Sequence, residues 1–353
     1  MSDKSAIEWT DATWTIVTGC TKTSPACANC YIERSVPFRV AGRRFVKGHI
    51  PVQLHENRLN WPLKWKKPKR IFVTSLGDLF HEDVPDEFLD KVFAVMALTP
   101  HHTYQVLTKQ AERMHAYITG AARQNIALEA LGMCLEAEFT KPKARLGDGV
   151  MIGEDDGLAV WPLPNVWLGC TVENQTFAHR RLPLLLDTPA AKRFLSCEPL
   201  LGPLDLTRIV PPGLEVKHPH DPAISINAFT SLVSGMDEYL PGRPQINWVI
   251  GGGESASRNP ERYLVEPCTA VIHQFCDDVA ESPSDDPRRP SCGGTGWRPK
   301  PHALDWATSL RDQCVDAGVP FFWKQWGGPK PKSGGRLLDG REWNEMPQLA
   351  VSA

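Results

Sequence analysis

The sequence predicts an α/β fold, a full or partial (β/α) barrel. Short β-rich runs recur along the 353 residues, nearly all apolar and without alternation, as in strands buried on both faces of a parallel sheet. Between them lie segments whose apolar residues fall at helical spacing. The length agrees with a barrel of about 250 residues plus insertions, which favours a barrel over a doubly wound sheet, although strand–helix alternation alone does not separate the two.

The strand candidates, in order, are TWTIVTG (13–19), RIFVTSLGD (70–78), TYQVLTK (103–109), NVWLGCTVEN (165–174), KRFLSCEPL (192–200), NWVIGGGES (247–255) and VPFFWKQWG (319–327). The helix candidates are PDEFLDKVFAVMALTP (85–100), AERMHAYITGAARQ (111–124), TFAHRRLPLLLDT (176–188), which Pro183 interrupts, and LDWATSLRDQCVDAGVP (304–320). In the first of these, Asp86 and Glu87 suit a first turn and Pro100 a stop. The barrel is expected to span 1–330, with insertions near 125–163, 205–245 and 281–301 and a C-terminal tail at 331–353.

Composition sets the class. Apolar residues make up 42% and charged residues 23%, ordinary for a soluble globular protein. No apolar run approaches the roughly 20 residues that span a bilayer, so no membrane association is expected. The N-terminal MSDKSAIEWTDATW lacks an apolar signal region, so a cytoplasmic location is expected. In that reducing compartment ten cysteines are not a disulfide framework, and Cys134, Cys170, Cys197 and Cys314 read as buried thiols. The net charge of −2 provides no global field for nucleic acid. Any such contact would be local, through Lys64–Arg70 or Arg39–Lys47, which also read as solvated faces.

The sharpest signal is TGCTKTSPACANCY (18–31), which places Cys20, Cys27 and Cys30 in a C-x6-C-x2-C pattern. Pro25, Ser24 and Ala26 favour a turn. Structural zinc wants four closed ligands, usually as two pairs, and here one pair and one outlier have no adjacent fourth. A [4Fe–4S] cluster can sit on three thiolates with one iron open to a ligand. A weaker group, Cys268, His273, Cys276 and Cys292, offers a second metal or simply buried and loop thiols.

The placement of the thiols after the first strand of a (β/α) pattern resembles the radical S-adenosylmethionine (SAM) superfamily, whose usual motif is C-x3-C-x2-C. This chain has a six-residue first spacer. The aromatic residue often found before the third cysteine is replaced by Asn29, with Tyr31 following it. More narrowly, the chain resembles a phage-associated, radical-SAM-like family of unknown function with a three-cysteine motif. The resemblance rests on IEWTDATW (7–14), the cysteine loop, TSLGDLFHEDVP (74–85), VLTK (106–109), WLGCTVEN (167–174), FLSCEPLLGP (194–203), WVIGGGESA (248–256) and RDQC with AGVPFFWKQWG (311–327).

The resemblance implies a radical SAM barrel in which Cys20, Cys27 and Cys30 ligate a [4Fe–4S] cluster and SAM fills the open position. Gly77 and Asp78 would stand where the superfamily meets the SAM amino group, with Asp78 equally readable as a helix N-cap. Gly251, Gly252, Gly253, Glu254 and Ser255 would lie beside the adenosine, or form a tight βα turn. Glu173, Glu198 and Lys324, at strand ends, are the candidates for SAM or substrate contact. His81 and Glu82 offer a proton donor and acceptor, or loop surface. The implied partners are a flavodoxin- or ferredoxin-type reductant and an unidentified substrate, with a nucleic-acid base or modified nucleotide as the first expectation. The alternative is a non-catalytic zinc- or cluster-binding interaction protein, with His49 or His55 completing a zinc site.

Overall fold

The computed structural model describes residues 4–140, 155–213, 224–234, 245–255, 259–267 and 297–348. Its elements are β1 (Ala12–Trp14), β2 (Val17–Thr21), α1 (Val36–Val40), β3 (His49–Leu54), β4 (Arg70–Val73), α2 (Asp86–Ala97), β5 (Thr103–Thr108), α3 (Ala111–Thr119), α4 (Ala122–Thr140), β6 (Val166–Thr171), α5 (Gln175–Asp187), β7 (Lys192–Cys197), β8 (Ser225–Ile226), β9 (Val233–Ser234), β10 (Trp248–Gly251), β11 (Val265–Pro267), β12 (Trp297–Pro299), α6 (Pro301–Asp316) and β13 (Phe321–Trp323).

Seven strands form one sheet in the order β1-β4-β5-β6-β7-β10-β13. The pairs β1–β4, β4–β5, β5–β6 and β10–β13 are parallel. Each strand lies beside the next sheet strand in the chain. A doubly wound sheet reverses its order at a switch point, so this sequence of neighbours excludes it. The fold is α/β, as expected. The order ends at β1 and β13, so the full-barrel expectation narrows to an open succession of seven strands. No helix among the described residues is long and apolar enough to cross a membrane.

The chain divides into two compact units, one running to Cys170 with Leu184–Phe194, the other comprising Thr171–Pro183 and Leu195–Pro347. In the first, α2 buries Phe88, Leu89, Val92, Phe93, Val95 and Met96, each worth about 1.5–3 kcal/mol of removed apolar surface. The Phe93 ring meets Phe80 at 6.4 Å and Tyr117 at 5.6 Å. In the second, β10 and β13 pair in the register Val249↔Phe321, Ile250↔Phe322 and Gly251↔Trp323. There α6 buries Ala303, Ala307, Leu310 and Cys314.

Two expectations change. The single helix over 111–124 is two, because Gly120 ends α3 before α4 begins. The single strand over 13–19 is also two. Only β1 joins the sheet, and β2 leaves it to pair antiparallel with β3, so Cys20 lies on a strand rather than after one. The helix-interrupting Pro183 sits inside a continuous α5.

His102, at the entry to β5, is buried, and its Nε2 lies 3.2 Å from the Pro62 carbonyl. Its Nδ1 is buried without a hydrogen-bond partner. Burial first, and then the neighbouring His101, hold its pKa at about 4, below the ordinary 6.5. Below pH 6.5 the unfolded chain takes up a proton that the folded chain refuses. Stability is therefore lost as pH falls from 6.5 towards 4, by at most roughly 3 kcal/mol from this group. Urea unfolding between pH 7 and pH 4 should show that loss, and His102→Gln, which cannot charge, should flatten it. An unchanged slope in the variant would assign the acid sensitivity elsewhere.

Candidate metal centre and neighbouring polar sites

In the first unit the cysteine arm is built by local rules. Gly19 takes φ +103°, and the ladder to β3 shifts register between Thr18 and Cys20. Its amide donates to the Leu76 carbonyl at 3.1 Å, and Gly19 and Gly77 form an isolated bridge. A Cβ on Gly77 would stand 2.9 Å from the carbonyl oxygens of both Gly19 and Val17. Gly77 is thus where the loop after β4 presses on the backbone of the cysteine arm. After Thr21 the chain turns through a 3-10 segment at Pro25–Cys27, with Pro25 in its first position. Cys27 lies in that turn and Cys30 caps the next, Tyr31–Arg34. Ile32, Phe38 and Ile50 form an apolar floor against which Cys20 and Cys30 pack.

All three thiols are free and lie close enough for their charges to interact. Burial, and then the charges of Asp78, Cys27 and Cys30, push the Cys20 thiol far up. Burial also raises Cys30. Cys27 goes the other way. Burial opposes its ionisation, but the Lys109 charge and hydrogen bonds from Thr23 and Ser24 outweigh it and lower the pKa. Lys109 is the cation that acts on all three.

Asp78 is committed to the protein. Its Oδ1 accepts from the Phe80 amide at 3.1 Å and from Thr108 Oγ1 at 2.6 Å, and its Oδ2 accepts from the Lys109 amide at 2.9 Å. Three of about four acceptor sites on the carboxylate are thereby filled. Asp78 clamps the loop after β4 to the end of β5 and fixes the backbone of Lys109.

A second polar group adjoins the first. Thr21 Oγ1 lies 2.9 Å from His49 Nδ1 and 2.8 Å from His81 Nε2. His81 is fully buried, whereas its neighbour Glu82 is exposed. Among the described residues, one ligand atom each from His49, His81 and Asp83 falls within 4.8 Å of the others, and the three thiols do not close to that spacing. His55, the other nominated fourth ligand, bonds Thr18 Oγ1 at 2.9 Å. Sequence reasoning named His49 and His81 separately. It missed their meeting at Thr21, because it missed HIPVQL as the strand β3 that pairs with β2.

In the second unit the nominated residues are largely committed to the fold. Glu173 is buried, and its Oε2 accepts from Arg181 at 2.9 Å while its Oε1 has no partner. Glu254 takes a two-pronged bond from Arg262, at 2.5 and 3.2 Å. A Cβ on Gly251 would meet the Trp323 ring at 2.9 Å, and one on Gly253 the Trp326 carbonyl oxygen at 2.0 Å. Those two glycines are filled by the protein's own chain and leave no open cradle. Ser255 forms a bridge with Gly328. Glu198 and Lys324 do meet, at 2.9 Å, with the lysine a third exposed. A Cβ on Gly252 would lie 3.1 Å from Glu198 Oε1. The second cysteine group, Cys268, His273, Cys276 and Cys292, lies outside the described residues. Cys170, Cys197 and Cys314 are buried as expected, and Cys134 is half-buried.

Comparison with known families matches residues 4–279 and 291–347 to a single family, described as protein of unknown function (DUF5131). The chain belongs to that family. No curated protein and no solved structure matches it. The DUF5131 description carries no activity, so the chemistry of this member rests on its own residues.

Proposed function

We propose that the chain is a radical SAM-type enzyme of the (β/α)-barrel class in which Cys20, Cys27 and Cys30 hold a [4Fe–4S] cluster and SAM is the cosubstrate. When bound, the pair supplies a 5′-deoxyadenosyl radical able to take a hydrogen atom from a substrate. The supporting observation is that Cys20, Cys27 and Cys30 lie free on one arm, close enough for their charges to interact. Cys27, already inclined to ionise beside Lys109, is the natural first ligand. Burial raises Cys20 and Cys30, and a bound metal's charge is what would favour their thiolates. Lys109 offsets the negative charge gathered there, and Asp78 holds its backbone in place. The floor of Ile32, Phe38 and Ile50 limits water beneath the thiols.

A nucleic-acid base or modified nucleotide stays the proposed substrate class, with a flavodoxin- or ferredoxin-type reductant. Residues 31–48 support an anionic partner, since Arg34, Arg39, Arg44 and Lys47 are exposed there while the one acid, Glu33, accepts from the Phe45 amide at 2.7 Å. In the second unit, the Glu198–Lys324 pair is the polar anchor that the fold has not consumed.

Anaerobic reconstitution with iron and sulfide tests the reading. The expected product is a brown protein with about four irons per chain, which releases 5′-deoxyadenosine from SAM under dithionite. Alanine at Cys20, Cys27 or Cys30 should abolish both. A colourless protein holding only zinc, or a brown one that never cleaves SAM, would overturn it.

A further inference from the structure

We propose that His49, His81 and Asp83 form a divalent transition-metal site, independent of the three thiols and positioned by Thr21. The residues come from separate places in the first unit, His49 from the start of β3 and His81 and Asp83 from the loop after β4, yet their ligand atoms gather within 4.8 Å. Both ring nitrogens of His81 are engaged, and the weaker of the two bonds is the one a cation would replace. The Asp83 amide donates to His81 Nδ1 at 3.1 Å, so Nδ1 is unprotonated and the ring proton sits on Nε2. That Nε2–H donates to Thr21 Oγ1 at 2.8 Å. A ligating histidine characteristically gives its other N–H to a fixed acceptor, which sets the tautomer and the ring's angle. Thr21 does this for His81, and it also holds the His49 ring through Nδ1 at 2.9 Å.

Asp83 Oδ2 lies 3.6 Å from the unprotonated Nδ1. The Nδ1 lone pair is spent on the Asp83 amide hydrogen, so a cation takes that nitrogen by displacing the 3.1 Å bond. The Asp83 carboxylate, 3.6 Å from that nitrogen and half exposed, is then within reach as a second ligand. Two imidazoles and one carboxylate are borderline-to-hard donors suited to Zn²⁺, Co²⁺ or Fe²⁺, and three protein ligands leave a position open for water or substrate. His81 is fully buried while the Asp83 side chain is half exposed, so an ion enters from the Asp83 side and meets a rigid ring.

The test uses the full chain carrying C20A/C27A/C30A, so that no thiol competes, with folding checked by circular dichroism. Zn²⁺ is titrated by calorimetry and Co²⁺ by visible absorption. The expected result is one ion per chain, with Co²⁺ d–d bands and no sulfur charge-transfer band. His49→Gln and Asp83→Asn, both at partly exposed positions, should each weaken binding by about 10-fold or more. Thr21→Val should weaken it less. No binding by the folded triple variant, or binding that His49→Gln and Asp83→Asn leave unchanged, would overturn the site. Neither outcome bears on the thiols, which are absent from the protein tested.

Discussion

Arg181→Ala destabilises the protein by roughly 3–5 kcal/mol, the cost of breaking a buried ion pair by removing one partner. The Arg181 and Glu173 side chains are 3% and 0% exposed. Arg181 Nη1 also donates to the Thr171 carbonyl at 2.8 Å, and its guanidinium lies 4.4 Å from the centre of the Phe177 ring. Truncation therefore loses packing as well as charge. Glu173 Oε1 already has no partner, and the variant would leave neither oxygen paired with Arg181 in a place water cannot reach. Replacing both residues, as Glu173→Leu with Arg181→Met, should recover most of the loss, because an apolar pair of similar volume pays no desolvation. Urea unfolding followed by far-ultraviolet circular dichroism reads both. A single-variant loss below about 1 kcal/mol, or a double variant no better than the single, would show that the pair is not buried as described.

Gly19→Ala should cost roughly 3 kcal/mol or more, combining left-handed backbone strain with overpacking. At Gly19 φ is +103° and an added Cβ would stand 2.2 Å from the Pro51 carbonyl oxygen, a backbone atom that cannot rotate away. Gly42 is the control. It has φ +65° with nothing within 4 Å, so Gly42→Ala should cost only about 1 kcal/mol. Because Gly19 precedes Cys20, its replacement should also loosen that half-buried thiol and speed its alkylation, while Gly42→Ala leaves the rate unchanged. Equal costs at the two positions would remove the close approach of β2 and β3 from the account.

The sheet was legible because its strands are buried runs, RIFV, TYQVLT, VWLGCT, KRFLSC, WVIG and FFW, that announce themselves without partners. HIPVQL was not, since its burial alternates only loosely and its identity as a strand depends on the chain leaving the sheet after Trp14 to form β2. The thiols were legible by spacing, as was the α2 face by period. The fates of Asp78, Glu173 and Glu254 were not. A carboxylate at a strand end looks the same in sequence whether it faces a ligand or, as here, the Lys109 amide, Arg181 or Arg262. Only the long-range partner decides, and partners 8 to 31 residues away leave no local trace.

The clamp at Asp78 makes the reactivity of a cysteine depend on strand alignment. Lys109 follows β5 directly, and β5 is aligned with β4 as Val73↔Val106. A slip of one residue would exchange the places of Thr108 and Lys109, since successive side chains on a strand face opposite ways. The hydroxyl that bonds Asp78 and the cation that favours a Cys27 thiolate would both be lost together. The electrostatic setting of the cysteine arm is thus inherited from the sheet, and no flexible surface charge has to find its position for the thiol to be ready.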